Sequence, residues 1–457
     1  MKPLKIDEVA KAVGGVLNRP DIGDGIINGV SFDTRESMEG KLFIPMKGIK
    51  RDGHDFLHEA VKCGAACVLS EKETFVDAIM VEDTSKALMD LAEYYRSLFD
   101  IKVIGITGSN GKTSTKDMIA SVLSEKYNVV KTIGNFNNEI GLPITIFNID
   151  ENTEVAVLEM GMNHRWEIHR LSKVARPDYA IITNIGVAHI ENLGSQEEIF
   201  KAKSEILDFM NENGKVFLNG DDDFLVRYRD RKNFVFYGYG VRNNYRPVSE
   251  NASDLHSSRY VTELKNGEEL AVYVPSPGKH MIMNSLVAVA IGEEMGLSAV
   301  AISEGIKKFK PSGMRMNIIE TNGGMRVIDD CYNASPDSVK AALEVLIQAE
   351  GNTIAVLGDM LELGENSYDM HYEVGVEAAR LCVGTIICIG ENSEATYEGA
   401  YSQYRAGSSN SQIIFFDNKA ACLEHIPKIV KAGDTVLVKA SRGMKFEEVV
   451  SFLVNDM

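Results

Sequence analysis

Residues 101–116, Ile-Lys-Val-Ile-Gly-Ile-Thr-Gly-Ser-Asn-Gly-Lys-Thr-Ser-Thr-Lys, decide how the rest of the chain is read. Positions 101–106 are a short apolar run, the pattern of a buried strand, and a helical pattern starts behind Thr113. Between them lies Thr107-Gly108-Ser109-Asn110-Gly111-Lys112-Thr113. Strand, glycine loop, Lys-Thr and helix, in that order, cradle phosphate. Backbone N–H groups and the helix N-terminus face the anion, the lysine adds a point charge, and the threonine hydroxyl can ligate Mg²⁺. The spacing is the short GxxGKT form, because Ile106 stands where the longer motif has its first glycine.

The chain has 457 residues, a length that suggests about three domains. Lys and Arg number 48 against 66 Asp and Glu, a net charge of −18, so nucleic acid is not expected as a partner. No apolar run approaches the roughly 20 residues that span a bilayer, so no membrane insertion is expected. The first residues, MKPLKIDEVAKAVGG, carry no apolar signal stretch, and a cytoplasmic location is expected. None of the six cysteines forms a CxxC pair, which fits a reducing compartment. Cys63 and Cys67 are expected as small buried residues four apart on one helix.

Residues 1–100 read as a small mixed α/β domain, with helices at 6–13, 57–63 and 82–99 and strands at 29–32 and 41–45. Within it, Ser31, Thr34 and Arg35 form a loop that either binds a phosphate or base edge or simply caps a turn. Residues 101–313 alternate strands (101–106, 127–131, 153–159, 178–183, 214–218, 233–237) with helices, the pattern of a mostly parallel nucleotide-binding sheet. In such sheets ligands gather at the carboxyl ends of strands. Glu159 ends one strand and suits Mg²⁺, a hard cation that takes oxygen ligands. His189 follows the next strand and is a candidate for a second metal. Lys201 and Lys203, on a helix over 196–209, read from pattern alone as solvated charges. Residues 240–275 read as β-rich, and Met281–Met283 as core.

Residues 314–457 alternate again: strands at 325–330, 353–357, 384–389, 412–416 and 434–439, helices at 336–349, 369–381, 419–430 and 445–454. This is a Rossmann-like domain behind the linker Pro311-Ser312-Gly313. It contains no complete GxGxxG, so no nicotinamide cofactor is implied. Polar clusters again sit at strand ends, at 329–336, 358–360 and 439–443.

The motifs SFDTR, GKLFIPMKG, DGHDF, TGSNGKTSTKD, GNFNNEIGLP, LEMGMN, TNIGVAH, AKSEI, NGDD, HMIMNSLVA, DDCYNASPDS, LGDMLELG and KASRGM follow one another along the chain. In that order they resemble the Mur ligases, ATP-dependent amide-forming enzymes of peptidoglycan precursor synthesis. GNFNNEIG, DDCYNASPDS and LGDMLELG resemble the member that joins D-alanyl-D-alanine to UDP-MurNAc-tripeptide, and the DNPR or DDPN box typical of the diamino-acid-adding member is missing. That sibling activity, folylpolyglutamate synthesis and a non-catalytic nucleotide-binding regulator are the competing readings.

The resemblance implies an α/β fold of three domains: UDP-substrate binding (1–100), a central ATP-binding P-loop domain (101–313) and a Rossmann-like ligase domain (314–457). It implies an ADP-forming acid–amino-acid ligase with an acyl-phosphate intermediate, acting on small molecules as a monomer. By resemblance Gly108, Ser109, Asn110, Gly111, Lys112, Thr113 and Ser114 hold the phosphates of ATP, Asn284 contacts adenine, Arg315 reaches the γ-phosphate and Asp330 the ribose. Ser31, Thr34, Arg35, Asn137, Asn138 and Glu139 fall to UDP-MurNAc-peptide. Thr113, Glu159, His189 and Lys203 fall to two Mg²⁺ ions, with Lys203 carbamylated. Lys112, Lys203, His189 and Arg315 are the catalytic set. Three positions depart from the family's usual residues: Ser204 for glycine, Trp166 for a small residue, and Met314 where glycine often precedes the arginine.

Overall fold

The computed structural model describes residues 1–48 and 51–457. The N-terminal part builds a five-stranded sheet in the order Val16–Leu17, Ala78–Met80, Cys67–Ser70, Lys41–Phe43, Gly29–Ser31, parallel except at its Val16–Leu17 edge. The helix Thr84–Ser97 starts at Asp83, whose carboxylate accepts from the Ser85 and Lys86 N–H groups. That N-cap satisfies donors the first turn leaves free. The helix buries Leu88, Leu91 and Tyr95. The Tyr95 hydroxyl donates to the Ile149 carbonyl at 2.7 Å, tying this part to the next.

The central sheet has six parallel strands in the order Phe234–Tyr237, Lys215–Asn219, Tyr179–Ile182, Lys102–Thr107, Val155–Glu159, Val129–Lys131. The Lys102–Thr107 strand is therefore interior, flanked by the strands that end near Glu159 and His189. Behind the sheet, Lys112–Leu123 packs on Lys279–Glu294, which is apolar nearly all round and buries every residue from Asn284 to Gly292. Each large aliphatic side chain so enclosed contributes about 1.5–3 kcal/mol. A three-stranded antiparallel sheet, Pro247–Asp254, Ser257–Glu263 and Glu269–Val274, forms the β-rich segment.

The C-terminal sheet runs Asn317–Glu320, Arg326–Asp329, Thr435–Lys439, Thr353–Gly358, Thr385–Ile389, Gln412–Phe416, parallel but for the first strand. The linker is anchored to the P-loop helix, since the Ser312 hydroxyl donates to Asp117 at 3.0 Å.

Several local expectations are corrected. Helix Leu57–Lys62 stops before Cys63, as Gly64 takes φ +102°, and Cys67 begins a strand. The two cysteines share no helix face: Cys63 is exposed and Cys67 buried. Helix Ser393–Arg405, unanticipated, lacks a Leu/Val stripe. It buries Ala395, Thr396, Gly399 and Ala400, and a Cβ on Gly399 would lie 2.1 Å from the Tyr372 carbonyl oxygen. Close approach of two backbones, not bulk, holds it, so its apolar period is faint. The 196–209 helix ends at Ser204 and passes into a 3₁₀ turn, and the 419–430 helix ends at His425, two residues before Pro427. Three further strands were not announced by their short apolar runs: Cys67–Ser70 and Ala78–Met80, interior in the N-terminal sheet, and Asn317–Glu320, at the edge of the C-terminal sheet.

Candidate active site

A cavity of about 600 Å³ opens between the central and C-terminal domains at the carboxyl ends of both sheets. The P-loop, Ser109 to Ser114, forms one wall. Gly108 has φ +146°, and a Cβ there would lie 1.9 Å from Thr183 Oγ1, so only glycine fits. Gly111, at φ +81°, opens the helix whose first residues are Lys112 and Thr113. Lys112 Nζ donates to the carbonyls of Gly108 and Ser109 at 2.8 and 3.2 Å. Burial lowers its pKa, partly offset by Glu159.

Glu159 is 2% exposed. One carboxylate oxygen accepts from Asn137 Nδ2 at 2.8 Å, and the other, Oε2, is buried with no partner. Such an atom is costly to leave bare, and a cation is the partner that suits it. Asn137 thus orients Glu159, a role its motif did not announce. Asn138 also lines the cavity but turns its side-chain oxygen to the N–H groups of Ile140 and Gly141. Glu139 pairs with Arg170 outside the cavity.

Lys203 is 1% exposed, which reverses its reading as a solvated charge. Burial first, and the Lys112 charge second, hold its pKa well below the usual lysine value, so the neutral amine is favoured. His189 lines the cavity; burial, then Lys112 and Lys203, push its pKa down. Among the described residues no three His, Cys, Asp or Glu side chains form a ready-made metal cage. Mg²⁺ needs none, since it keeps several waters and takes substrate phosphates as ligands.

The opposite wall comes from the C-terminal domain. Arg315 stacks over Tyr332 with its guanidinium carbon 4.0 Å from the ring centroid. It is flanked by Met314 and Met316, both left-handed (φ 60° and 47°), which gives a physical reason for glycine to be frequent at 314. Asp330 also faces the cavity and is held by Lys439 Nζ at 2.5 Å. Asn284 lies beneath the P-loop, its amide oxygen accepting from Thr115 at 3.1 Å, and Met281 and Met283 line the cavity as well as packing. The walls touch where the Ser335 hydroxyl donates to Asn110 Oδ1 at 3.0 Å.

The structure keeps Ser31, Thr34 and Arg35 away from this cavity. Arg35 is exposed and forms a bidentate pair with Asp33, while Ser31 is buried. Trp166 is half exposed beside Arg165 and His169, at φ 72°, and does not line the cavity; Ser204 accepts from the Tyr228 hydroxyl. Lys439, His280 and Ser335 line or brace the cavity without having been singled out. The signal for Lys439 and Ser335 was only that KASRG and DDCYNASP fall at strand ends, and for His280 only that it begins HMIMNSLVA.

Three family models match: "Mur ligase family, catalytic domain" at residues 26–96, "Mur ligase middle domain" at 106–292, and "Mur ligase, glutamate ligase domain" at 314–442. The chain is 39% identical to UDP-N-acetylmuramoyl-tripeptide–D-alanyl-D-alanine ligase of Bacillus subtilis, over 98% of each chain. It superposes on a crystal structure of MurF from Acinetobacter baumannii with a TM-score of 0.92 at 29% identity, covering 99% of each. For MurF ligase from Thermotoga maritima in complex with ADP the TM-score is 0.84 at 29% identity, covering 93% of this chain and 97% of that one.

Proposed function

The chain belongs to the Mur ligase family, and from that premise we propose that it joins D-alanyl-D-alanine to UDP-N-acetylmuramoyl-tripeptide at the expense of ATP. The observation that carries the reading is the two-walled cavity: a P-loop with a partnerless buried carboxylate oxygen on one side, Arg315 and Asp330 on the other.

A carboxylate is a poor acylating agent until one of its oxygens becomes a leaving group. In the first step a carboxylate oxygen of the tripeptide attacks the γ-phosphorus of ATP, and ADP leaves with the bond's electron pair. The P-loop N–H groups and Lys112 hold the phosphates from the central domain, and Arg315 meets the transferring group from the other wall. In the second step the amine of D-alanyl-D-alanine attacks the acyl carbon. The tetrahedral intermediate expels phosphate, a proton leaves the nitrogen, and the amide remains. In this reading Asp330, braced by Lys439, meets the ribose and Asn284 the adenine.

Thr113 and Glu159 fit one Mg²⁺, and His189 with Lys203 a second; when bound, these ions neutralise charge on the phosphoryl oxygens. Lys203 suits carbamylation because its neutral amine can attack CO₂, forming an N–C bond and, on loss of a proton, an anion where a neutral amine stood. UDP-substrate binding falls to residues 1–100, including Ser31, Thr34 and Arg35, with Asn137, Asn138 and Glu139 at the junction. Residues 101–313 and 314–457 supply the two walls. Among the described residues no helix is long and apolar enough to cross a membrane. The reading places the enzyme in the cytoplasm as a monomer.

The test supplies UDP-MurNAc-tripeptide, D-alanyl-D-alanine, ATP and Mg²⁺ and follows pentapeptide by mass. Phosphate release that ignores D-alanyl-D-alanine, or product formed instead from a diamino acid and the dipeptide substrate, rejects it.

A further inference from the structure

His189 and Glu362 belong to different domains and meet at the cavity's edge. His189 follows the Tyr179–Ile182 strand of the central sheet, and Glu362 follows the Thr353–Gly358 strand of the C-terminal sheet. His189 Nδ1 lies 2.6 Å from Glu362 Oε2. The carboxylate stands off the line of the ring N–H, so this is a close contact that a small side-chain rotation turns into a hydrogen bond.

Both residues are left-handed without being glycine, at φ 65° and φ 64°. Strain of this kind persists where the surroundings over-determine it, and such residues cluster at functional sites. The two turns are fastened to each other: the Glu191 N–H donates to the Glu362 carbonyl at 3.3 Å, and a Cβ on Gly364 would lie 3.3 Å from the Glu191 Cα. Elsewhere along the cavity, Ser335 of the same domain donates to Asn110 of the P-loop. One rigid-body approach of the C-terminal domain therefore reaches the phosphate loop and His189 together.

We propose that Glu362 is a positioning residue for His189 that acts only when the C-terminal domain has closed. It accepts from Nδ1, fixes the ring plane and tautomer, and leaves the Nε2 lone pair for the cavity that His189 lines. A carboxylate on one imidazole nitrogen is the usual way to orient the other toward a cation. Here the carboxylate comes from the opposite domain, so the site on the central domain is finished only by closure. The inference rests on the ligase reading above.

The test uses the full chain with ¹⁵N-labelled histidine, with the His189 signal assigned by its loss in His189→Gln. With a non-hydrolysable ATP analogue and UDP-MurNAc-tripeptide, His189 of the unmodified chain is expected as the single Nδ1-protonated tautomer. In Glu362→Ala the two tautomers mix, and kcat falls 10- to 100-fold while KM for ATP stays within twofold. Glu362→Gln, whose amide oxygen still accepts from Nδ1, restores the tautomer and part of kcat. An unchanged tautomer in Glu362→Ala overturns the proposal, whether or not kcat falls. So does a kcat within twofold of the unmodified chain. If the unmodified chain makes no pentapeptide, the ligase reading has failed instead, and the tautomer still decides the pairing of Glu362 with His189.

Discussion

The central and C-terminal sheets are built alike, six strands each with polar residues at their carboxyl ends, yet those residues are treated differently. At the central strand ends Glu159 Oε2 and Thr107 Oγ1 are buried without partners, and His189 Nδ1 has only an unaligned carboxylate. At the C-terminal strand ends the acids are occupied. Asp330 is held by Lys439, and Asp359 accepts from both the N–H and the hydroxyl of Ser393 at 2.8 and 2.7 Å. His371 Nε2 accepts from the Met360 N–H at 2.9 Å. An unpaired buried polar group costs roughly 1–3 kcal/mol. The central wall carries that cost where ligands arrive, whereas the C-terminal wall is a finished scaffold that aims its groups.

The comparison breaks most visibly at Lys203. Lys203→Ala should cut turnover by roughly 10³-fold or more with little change in Tm, and a short added carboxylate should restore part of it. Near-normal turnover would refute the carbamate role. Glu159→Gln should lower kcat by about 10²–10³-fold while leaving Tm unchanged or raised, because an incompletely paired buried charge is removed. A fall in Tm would make Glu159 a structural residue. The other wall should behave in the opposite sense: Lys439→Met strands Asp330 and should cost about 3–5 kcal/mol of stability in denaturant titration. If both Glu159→Gln and Lys439→Met destabilise equally, the distinction between the walls is wrong.

The smallest effect concerns His280, between Asp330 and Lys439, whose pKa burial lowers to about 4 from 6.5. Between those values the unfolded chain binds the proton more readily, so stability falls as pH drops from 6.5 toward 4 and levels off below. The loss is about 3 kcal/mol. His280→Asn should flatten that part of the ligand-free stability–pH curve, and an unchanged slope would show that His280 is already solvated.

Much of the site was legible because its chemistry is local. TGSNGKT carries its own geometry, since glycines at 108 and 111 and a Lys-Thr helix start leave few alternatives. Glu159 was visible as an acid ending an apolar run. Lys203 misled because its helix carries Glu197, Glu198 and Lys201 beside it, and nothing in the spacing says which charge turns inward. Asn137 was read only as a substrate contact and Lys439 went unassigned, because their partners Glu159 and Asp330 lie 22 and 109 residues away. Helix Ser393–Arg405 was missed because glycine and alanine, which permit close packing, carry a weak hydrophobic period.

By itself the sequence determined the phosphate loop, the alternation of strands and helices, and the ordered motifs that mark a Mur ligase. Each is written in neighbouring residues, through apolar period, glycine conformational freedom and capping. Only the tertiary structure decided that Lys203 is buried beside Lys112, that Glu159 keeps one bare oxygen, and that Glu362 reaches His189 from another domain. Burial, desolvation and contact between distant segments are properties of the folded whole, and the opening loop acquires its second wall only there.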